Sequence, residues 1–328
     1  MDPNNLETVI GTDLERVIAL LMQDQVVAIP TETVYGLAGH ALKPEVIRKI
    51  YEIKQRPGHN PLILHTLNVA TAQRFVREWP EWAEKLAAAF WPGPLTLLLP
   101  KSDVVPAELT SGSDWVAIRV PAHALTRTLL ERLPFPLAAP SANHFTYISP
   151  TTAEHVYRQL AGKIPYILDG GPCAKGLEST IVGMQRSVPV VYRSGAISAE
   201  ALRNTLSNIQ TATIEHHADQ PVAPGMMKKH YSPRTPLILC KNLKEEAQKY
   251  PDRKLGFLVF GSRSGLENLG MVQQLSLTGD PDEAASGLYS ALHVLDGAGL
   301  DLILAELLPE KGLGLAINDR LRRAAEIG

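Results

Sequence analysis

Polar and cationic side chains stand at the predicted ends of a strand and of a helix. Residues 31–33, Thr-Glu-Thr, directly follow the apolar run at residues 26–29. Open α/β sheets bind ligands just beyond the carboxyl ends of their strands, so these side chains are well placed to meet one. Lys54 and Arg56 end a predicted helix, and two cations opposite such a loop can neutralise a polyphosphate. The same residues also suit a solvated turn and a helix stop, because the helix dipole alone favours terminal cations.

Two arginines strengthen the case for an anionic ligand. Arg119 and Arg193 each end an apolar, strand-like run. A guanidinium at a strand end needs an anionic partner, which either the protein or a ligand can supply. Hydroxylated residues at 149–152 open a predicted helix, whose free N–H groups could hold an anion, although capping is the main role expected of Thr151. The residues alone therefore favour a cationic, hydroxyl-lined cleft for a phosphorylated ligand.

Composition and missing motifs exclude several classes of protein. Of 328 residues, 45% are hydrophobic and 20% are charged, which excludes a disordered chain or a coiled coil. The formal net charge of -2 argues against a surface that attracts nucleic acid everywhere. The sequence contains no P-loop and no H-E-x-x-H, paired C-x-x-C or G-x-S-x-G motif. The sequence therefore does not support a function as a standard P-loop kinase, a metalloprotease or a serine hydrolase.

Three features that the sequence lacks predict the compartment in which the protein works. Two cysteines, Cys173 and Cys240, are too few for a disulfide framework, which suits a reducing compartment. No apolar run approaches the roughly 18 residues of a membrane helix. The polar start of the chain lacks the basic and apolar regions of a signal peptide. We therefore expect a cytoplasmic protein without membrane contact.

The apolar pattern predicts an α/β fold that positions these side chains, with helices against a sheet. Capping boxes at residues 12–15 and 151–154 open two helices, and Pro44 opens a third. The predicted strands of this part are residues 26–29, 62–65, 95–99, 116–120, 166–168, 180–182 and 190–192.

A break in the pattern divides the chain. Residues 208–236 lack apolar periodicity, and residues 237–328 then repeat the strand–helix alternation. We predict a first domain at 1–207, a linker at 208–236 and a small α/β domain at 237–328. The linker combines rigid turns, cations and an aromatic residue at 224–233, which predicts a lid over the cleft, while a plain tether between domains is the alternative.

Several motifs together resemble one family. PTETVYGL, KQRPGHNPL, WPGPLTLLLP, VAIRVP, PSAN with SPT, ESTIV and YRSG occur in that order along the first domain. This order resembles the threonylcarbamoyl-adenylate synthases of the YrdC type. APGMMKKHYSP and GLGLAINDRL resemble the longer, two-domain branch of that family. The resemblance implies a twisted mixed β-sheet flanked by helices, a positive groove, and a second, smaller Rossmann-like α/β domain.

The resemblance also implies a reaction. Such an enzyme combines L-threonine, bicarbonate and ATP into L-threonylcarbamoyl-AMP and pyrophosphate, with Mg²⁺ as the cofactor that accompanies ATP. A separate tRNA threonylcarbamoyl transferase complex then moves the product to the adenosine beside the anticodon. No covalent enzyme intermediate is needed, so catalysis would consist of positioning and charge stabilisation. The metal would sit on phosphate oxygens and water, so the resemblance implies no set of protein ligands for it.

The resemblance carries particular roles onto this sequence. The positions that match threonine contacts are Thr33, His65, Arg119, Ala139 through its backbone, and Ser179. The positions that match ATP contacts are Arg56, Asn60, Ser141, Ser149, Arg193 and Tyr231. Lys54 and Arg56 are expected to be catalytic, because they would stabilise charge on the phosphates. His65, taken alone, is more often a structural histidine than a catalyst.

Two positions depart from the family pattern, and other functions stay open. Trp115 replaces a small hydroxylated residue, and residues 144–148 lack the usual Gly-containing turn. A double-stranded RNA-binding or regulatory protein could use the same positive groove, and a weak RNA contact is kept as an expectation beside the enzyme. Serine in place of threonine differs by one methyl group, about 1–3 kcal/mol of discrimination, so the pattern does not fix the amino acid.

Overall fold

The structure is a computed structural model that describes residues 6–211, 230–261 and 265–325. Most of the predicted lid, residues 212–229, lies outside the described residues. The strands described for the first domain are β1 (Val9–Gly11), β2 (Val27–Ile29), β3 (Gly36–His40), β4 (Ile63–His65), β5 (Leu95–Pro100), β6 (Trp115–Arg119), β7 (Leu137–Ala138), β8 (Tyr166–Leu168), β9 (Thr180–Gln185), β10 (Val188–Arg193) and β11 (Gln210–Thr211). Its helices are α1 (Leu14–Met22), α2 (Pro44–Lys54), α3 (Val69–Gln73), α4 (Glu81–Phe90), α5 (Ala107–Thr110), α6 (Ala124–Arg132), α7 (Ala153–Leu160) and α8 (Ala199–Thr205).

These strands form one mixed sheet in the order β1-β8-β2-β3-β7-β4-β6-β5-β9-β10-β11. β2 and β3 are antiparallel, with Ile29 opposite Gly36, so the threonine-rich loop joins two neighbouring strands. β4 and β6 are parallel, and His65 pairs with Arg119 at their ends. β2 runs antiparallel to β4 and β6, because three antiparallel pairings through β3 and β7 separate β2 from β4. The loop after β2 nevertheless reaches the end of β6, where Thr33 and Glu32 contact Arg119. β11 extends this sheet beyond residue 207, and the domain boundary there stays a prediction.

The second domain is a smaller parallel sheet with helices. Its described elements are β12 (Leu237–Leu239), α9 (Leu243–Ala247), β13 (Leu255–Val259), β14 (Gly270–Gln274), α10 (Pro281–Asp296), β15 (Leu302–Ala305) and α11 (Gly314–Ala325). The strand order is β12-β15-β13-β14, and all three pairings are parallel. The predicted fold class, a mixed α/β sheet with a second, smaller α/β domain, is confirmed. Among the residues described, none of the helices has the length and apolar character to span a bilayer.

The N-cap predicted for α1 is wrong by one residue. α1 is capped by Asp13, whose side chain accepts a hydrogen bond from the Arg16 amide at 3.0 Å, and not by Thr12. An aspartate caps a helix as well as a threonine does, and its charge also complements the positive end of the helix dipole. The chain therefore starts the helix at the acidic residue.

The second capping box is displaced in the same way. The hydroxyl of Thr152 caps α7 by accepting from the His155 amide at 3.2 Å. The capping role predicted for Thr151 is therefore wrong. Its hydroxyl instead lies 3.0 Å from Ser290 Oγ on α10 and joins the two domains.

One apolar cluster continues across the domain boundary. Val34, Ile148 and Leu177 from the first domain pack with residues of α10 and α11, including Leu288 and Ile317. All five side chains are buried. Because burial of apolar area is the main favourable contribution to folding, the two domains stabilise each other at this contact.

Candidate functional site

A cleft opens against the first sheet and is lined by residues from several of its strands. Nine of the predicted site residues line it: Thr33, Arg56, His65, Arg119, Ala139, Ser141, Ser179, Arg193 and Tyr231. Lys54, Asn60 and Ser149 do not line it, and each of these three contacts residues beside it.

The loop after β2 is shaped by its own threonines. The Thr31 hydroxyl accepts from the Thr33 amide at 3.1 Å and from the Val34 amide at 3.2 Å, and it donates to the Val34 carbonyl at 2.6 Å. Such side chain–backbone bonds replace a regular ladder and fix a tight turn. The turn directs the Thr33 hydroxyl to Arg119, whose Nη1 donates to it at 3.0 Å.

A buried carboxylate, which the sequence reading did not assign to the site, holds Arg119. Glu32 Oε1 lies 2.6 Å from Arg119 Nη2, and Glu32 Oε2 accepts from the Ala122 amide at 3.1 Å. Burial favours the protonated form of Glu32, but the Arg119 guanidinium prevails and lowers the pKa of this carboxyl below its ordinary value. Arg119 Nε also donates to the Gly93 carbonyl at 3.2 Å. The guanidinium is therefore oriented before any ligand arrives.

His65 is held as a neutral hydrogen-bond acceptor. Burial, together with the positive charge of Arg119, lowers the pKa of His65 to about 3. Its Nδ1 lies 3.2 Å from the Ile63 carbonyl, which can only accept a hydrogen bond. The proton of the neutral ring therefore sits on Nδ1, and Nε2 presents a lone pair.

Ser179 and Arg193 form the opposite side of the cleft. Arg193 Nη2 donates to Ser179 Oγ at 3.0 Å and to the Ser179 carbonyl at 2.9 Å, while Thr96 Oγ1 lies 2.7 Å from Ser179 Oγ. The turn after β10 approaches this segment so closely that a Cβ at Gly195 would lie 2.4 Å from the Glu178 carbonyl. Glycine at this position is therefore required by the contact.

The loop that follows α2 holds Arg56 at the edge of the cleft. Arg56 Nη2 donates to Asn60 Oδ1 at 2.6 Å and to the Pro61 carbonyl at 3.0 Å. Burial lowers the pKa of Arg56 to about 10, so the guanidinium stays charged at neutral pH. The Phe145 ring faces this guanidinium at 5.9 Å, a contact made by the loop that departs from the family pattern.

Lys54 supports the loop at 141–147 from behind. Its ammonium donates to the Ser141 carbonyl, and to Asn143 O and Oδ1 at 2.6 and 3.1 Å. Asn143 in turn donates to the Tyr147 carbonyl at 2.7 Å. Burial, and then the neighbouring Arg56 charge, lowers the pKa of Lys54 well below its ordinary value. The Lys54 ammonium thus already donates hydrogen bonds to three protein oxygens, whereas the sequence predicted that it would contact phosphate.

Ser149 is buried beneath a carboxylate that contacts both domains. Its hydroxyl donates to Glu178 Oε1 at 2.7 Å. Glu178 also accepts from Tyr289 Oη at 2.9 Å and from Arg320 Nε at 3.0 Å, both in the second domain. Burial opposes ionisation of Glu178, but Arg320 and Arg193 prevail and lower its pKa. Glu178 and Arg320 lie in the motifs ESTIV and GLGLAINDRL, but the sequence alone did not predict either of them as a site residue.

Tyr231, near the end of the predicted linker, closes one side of the cleft. Its ring is 1% exposed and stacks with Tyr289 at 5.9 Å between centroids. The Arg320 guanidinium lies over the same ring at 5.1 Å. Burial raises the pKa of the phenol, which is therefore protonated at neutral pH. Its neighbour His230 also lines the cleft and is held neutral by burial and by the surrounding cations.

The fold and the cleft define a class of protein: a two-domain α/β protein in which Arg56, Arg119 and Arg193 line one cleft, an arrangement that suits an anionic ligand. Residues 19–195 match the family Sua5_yciO_yrdC, described as Telomere recombination. Residues 197–326 match the family described as Threonylcarbamoyl-AMP synthase, C-terminal domain. The chain belongs to the threonylcarbamoyl-AMP synthase family.

Individual relatives agree over almost the full length. A threonylcarbamoyl-AMP synthase of Bacillus subtilis is 39% identical, over 94% of this chain and 91% of the relative. The Pyrococcus abyssi threonylcarbamoyl-AMP synthase is 40% identical, over 93% of this chain and 92% of the relative. A crystal structure of P. abyssi Sua5 complexed with L-threonine superimposes with a TM-score of 0.88, at 38% identity and with 97% of each chain covered.

Proposed function

We propose that this protein is an L-threonylcarbamoyladenylate synthase, a nucleotidyltransferase that forms threonylcarbamoyl-AMP and pyrophosphate from L-threonine, bicarbonate and ATP. The observation that carries the proposal is one cleft that unites an oriented Arg119 with a second cationic side formed by Arg56 and Arg193. The first side suits an amino acid carboxylate, and the second suits phosphates. The relatives named above support the same assignment.

L-Threonine would lie between Arg119, Thr33 and Ser179. The fork of a guanidinium matches a carboxylate, and Arg119 already has its direction fixed by Glu32 and Gly93. The free lone pair of His65 Nε2 can accept from the hydroxyl or the amine of the substrate. Ala139 donates its amide to the Ile63 carbonyl at 3.1 Å, so the group it offers to a ligand is its own carbonyl.

The reaction needs two bond-forming steps and no enzyme nucleophile. The threonine amine takes up the carbon of bicarbonate with loss of water and becomes a carbamate. A carbamate oxygen then attacks the α-phosphorus of ATP, and pyrophosphate leaves with the electron pair of the broken P–O bond. The proposed ATP group is Arg56, Asn60, Ser141, Ser149, Arg193 and Tyr231. Of these, Arg56, Ser141, Arg193 and Tyr231 line the cleft, and Asn60 and Ser149 would act through the residues that they hold. Arg56 and Arg193 would stabilise the charge that develops on the phosphates.

Mg²⁺ would arrive with ATP and bind phosphate oxygens and water. Among the residues described, no group of three His, Cys, Asp or Glu side chains is arranged to hold a metal ion. The two carboxylates beside the cleft, Glu32 and Glu178, already accept hydrogen bonds from protein donors. The arrangement therefore suits a metal that the nucleotide carries, and its role would be to neutralise phosphate charge.

Lys54, Asn60 and Ser149 are proposed to act by holding other groups. Lys54 binds the carbonyls of the 141–143 turn, Asn60 binds Arg56, and Ser149 binds Glu178. The direct phosphate contact predicted for Lys54 stays a prediction, and its present contacts favour a positioning role.

The assay for the function is pyrophosphate release. Purified protein with ATP and magnesium is given L-threonine, bicarbonate, both or neither. We expect release only when both are present, because the carbamate that attacks ATP forms from both. L-Serine in place of L-threonine measures the discrimination due to one methyl group. Equal release with ATP alone would contradict the proposal.

The segment that contains Tyr231 is proposed to close over the nucleotide. Tyr231 already lines the cleft, and a phenol there could donate to a phosphate oxygen. We expect Tyr231→Ala to weaken ATP binding and to raise the ATP consumed per intact adenylate, since an open cleft admits water. Tyr157→Ala, on the exposed side of α7, is the control. Unchanged affinity and yield would favour a simple tether.

The product has a proposed recipient. A tRNA threonylcarbamoyl transferase complex would take the adenylate. The protein would work beside that complex in the cytoplasm and could make a weak RNA contact of its own. The alternative, a double-stranded RNA-binding or regulatory protein, is not favoured, because the relatives are named as synthases. Salt-dependent RNA binding without pyrophosphate release would revive it.

A further inference from the structure

Glu178 is a carboxylate at the cleft whose hydrogen bonds come mainly from the second domain. Tyr289 Oη lies 2.9 Å from both of its oxygens, and Arg320 Nε donates to Oε2 at 3.0 Å. Arg320 is 0% exposed, so this ion pair is out of water. Breaking one side of a buried ion pair leaves an uncompensated charge, which makes the carboxylate move or become protonated.

The segment that contains Glu178 packs closely against α10 of the second domain on one side and against the turn after β10 on the other. A Cβ at Gly176 would lie 2.5 Å from the Ser286 carbonyl of α10. On the other side, a Cβ at Gly195 would lie 2.4 Å from the Glu178 carbonyl. Ser179, the next residue, binds Arg193 through both its hydroxyl and its carbonyl. A shift of Glu178 would therefore move Ser179, the next residue in the chain, and would change the hydrogen bonds that Ser179 accepts from Arg193.

The same two residues of the second domain also contact Tyr231. Tyr289 stacks on its ring, and the Arg320 guanidinium lies over it. Glu178 and Tyr231, two residues that line the cleft, thus both depend on Tyr289 and Arg320, which are buried residues of the second domain.

We propose that Arg320 and Tyr289 are positioning residues for the reaction, which act through Glu178 on Ser179 and Arg193 and so set the affinity for ATP. This inference rests on the proposed function for its substrate, although its test measures binding. The second domain then completes the nucleotide site and does more than stabilise the fold.

The test compares matched variants of the full chain in binding of a non-hydrolysable ATP analogue, with thermal melting alongside. Tyr289→Phe removes only the hydroxyl that Glu178 uses and keeps the stacked ring. Tyr157→Phe is its exposed control. Arg320→Met is compared with Arg322→Met, an exposed arginine on the same helix. We expect about five- to tenfold weaker binding in Tyr289→Phe, because a hydrogen bond to a buried charge is lost.

A double-mutant cycle shows whether the effect passes through Glu178. In a Glu178→Gln background, Tyr289→Phe should weaken analogue binding much less than in the wild-type chain. If Tyr289→Phe melts earlier but binds the analogue as tightly as the wild type, the role is only structural and the inference is overturned. An equal loss in both backgrounds overturns it as well. Pyrophosphate release by the wild type reports separately on the proposed function.

Discussion

At the scale of single residues, the cleft depends on how its charges are paired. Arg119 is bound by Glu32, Thr33 and Gly93 before a ligand is present. A preorganised guanidinium loses little side-chain entropy when a carboxylate binds, which favours affinity for an amino acid. The sequence indicated Arg119 by its place at a strand end. It gave no reason to pair it with Glu32, because the two are 87 positions apart and meet only when β2 and β6 lie in one sheet.

The Glu32–Arg119 pair predicts a pH-dependent stability. The folded pKa of Glu32 is lowered, so the pair contributes fully above the ordinary glutamate pKa, about 4.3. The contribution is lost as the pH falls through the lower folded pKa. We expect Glu32→Gln to reduce the free energy of unfolding by about 1–3 kcal/mol at pH 7, and by less below pH about 4.

The measurement is urea unfolding of the wild type and of Glu32→Gln between pH 3 and 7, with the exposed Glu7→Gln as the control. Glu32→Gln should also raise the KM for threonine, because Arg119 loses its orientation. A stability difference that stays constant across this pH range would show that the charge of Glu32 contributes nothing.

At the scale of elements, the end of α2 organises two loops. The helix ends at Lys54, and Gln55 adopts a left-handed conformation with φ of 54° that turns the chain toward Arg56. Lys54 is then directed to the 141–143 turn, while Arg56 is directed to the cleft. Lys54 and Arg56 belong to one sequence motif, but in the fold they therefore face different surroundings.

We expect Lys54→Met to raise the KM for ATP and to reduce the free energy of unfolding by about 1–3 kcal/mol. Buried carbonyls of the 141–143 turn would lose their donor, and an unsatisfied buried acceptor costs about that much. Steady-state kinetics and urea unfolding measure the two effects, with the exposed Lys49→Met on the same helix as the control. A large fall in kcat at unchanged KM and stability would instead favour the direct phosphate contact.

At the scale of the whole molecule, the two domains share an apolar cluster and the Glu178 network. A chain that ends at Thr211 would expose Val34, Ile148 and Leu177, which pack on α10 and α11. Exposed apolar area of this kind promotes association and lowers stability. We expect the shortened chain to melt several degrees earlier and to bind a hydrophobic dye, as differential scanning fluorimetry and ANS fluorescence would show. Unchanged melting and no dye binding would mean that the first domain is stable alone.

Much of the architecture could be predicted because apolar runs report burial directly. The strands near residues 26–29, 95–99 and 116–120 occur where the pattern places them. β3 was not predicted, since its sequence Gly-Leu-Ala-Gly-His has few residues that favour strands, and its pairing with β2 and β7 decides its conformation. The two helix caps lie one residue later than predicted, because the second polar residue of each pair, Asp13 or Thr152, accepts from the amide three positions further on.

By itself, the sequence determined the types of side chain available, their order and the family that this order resembles. Only the tertiary structure decided which of them face the cleft. Lys54 and Ser149 point away because their partners, 87 and 29 positions along the chain, come within hydrogen-bond distance in the fold. A buried polar group must be satisfied by whatever lies beside it, and the identity of that neighbour is set by packing between distant segments.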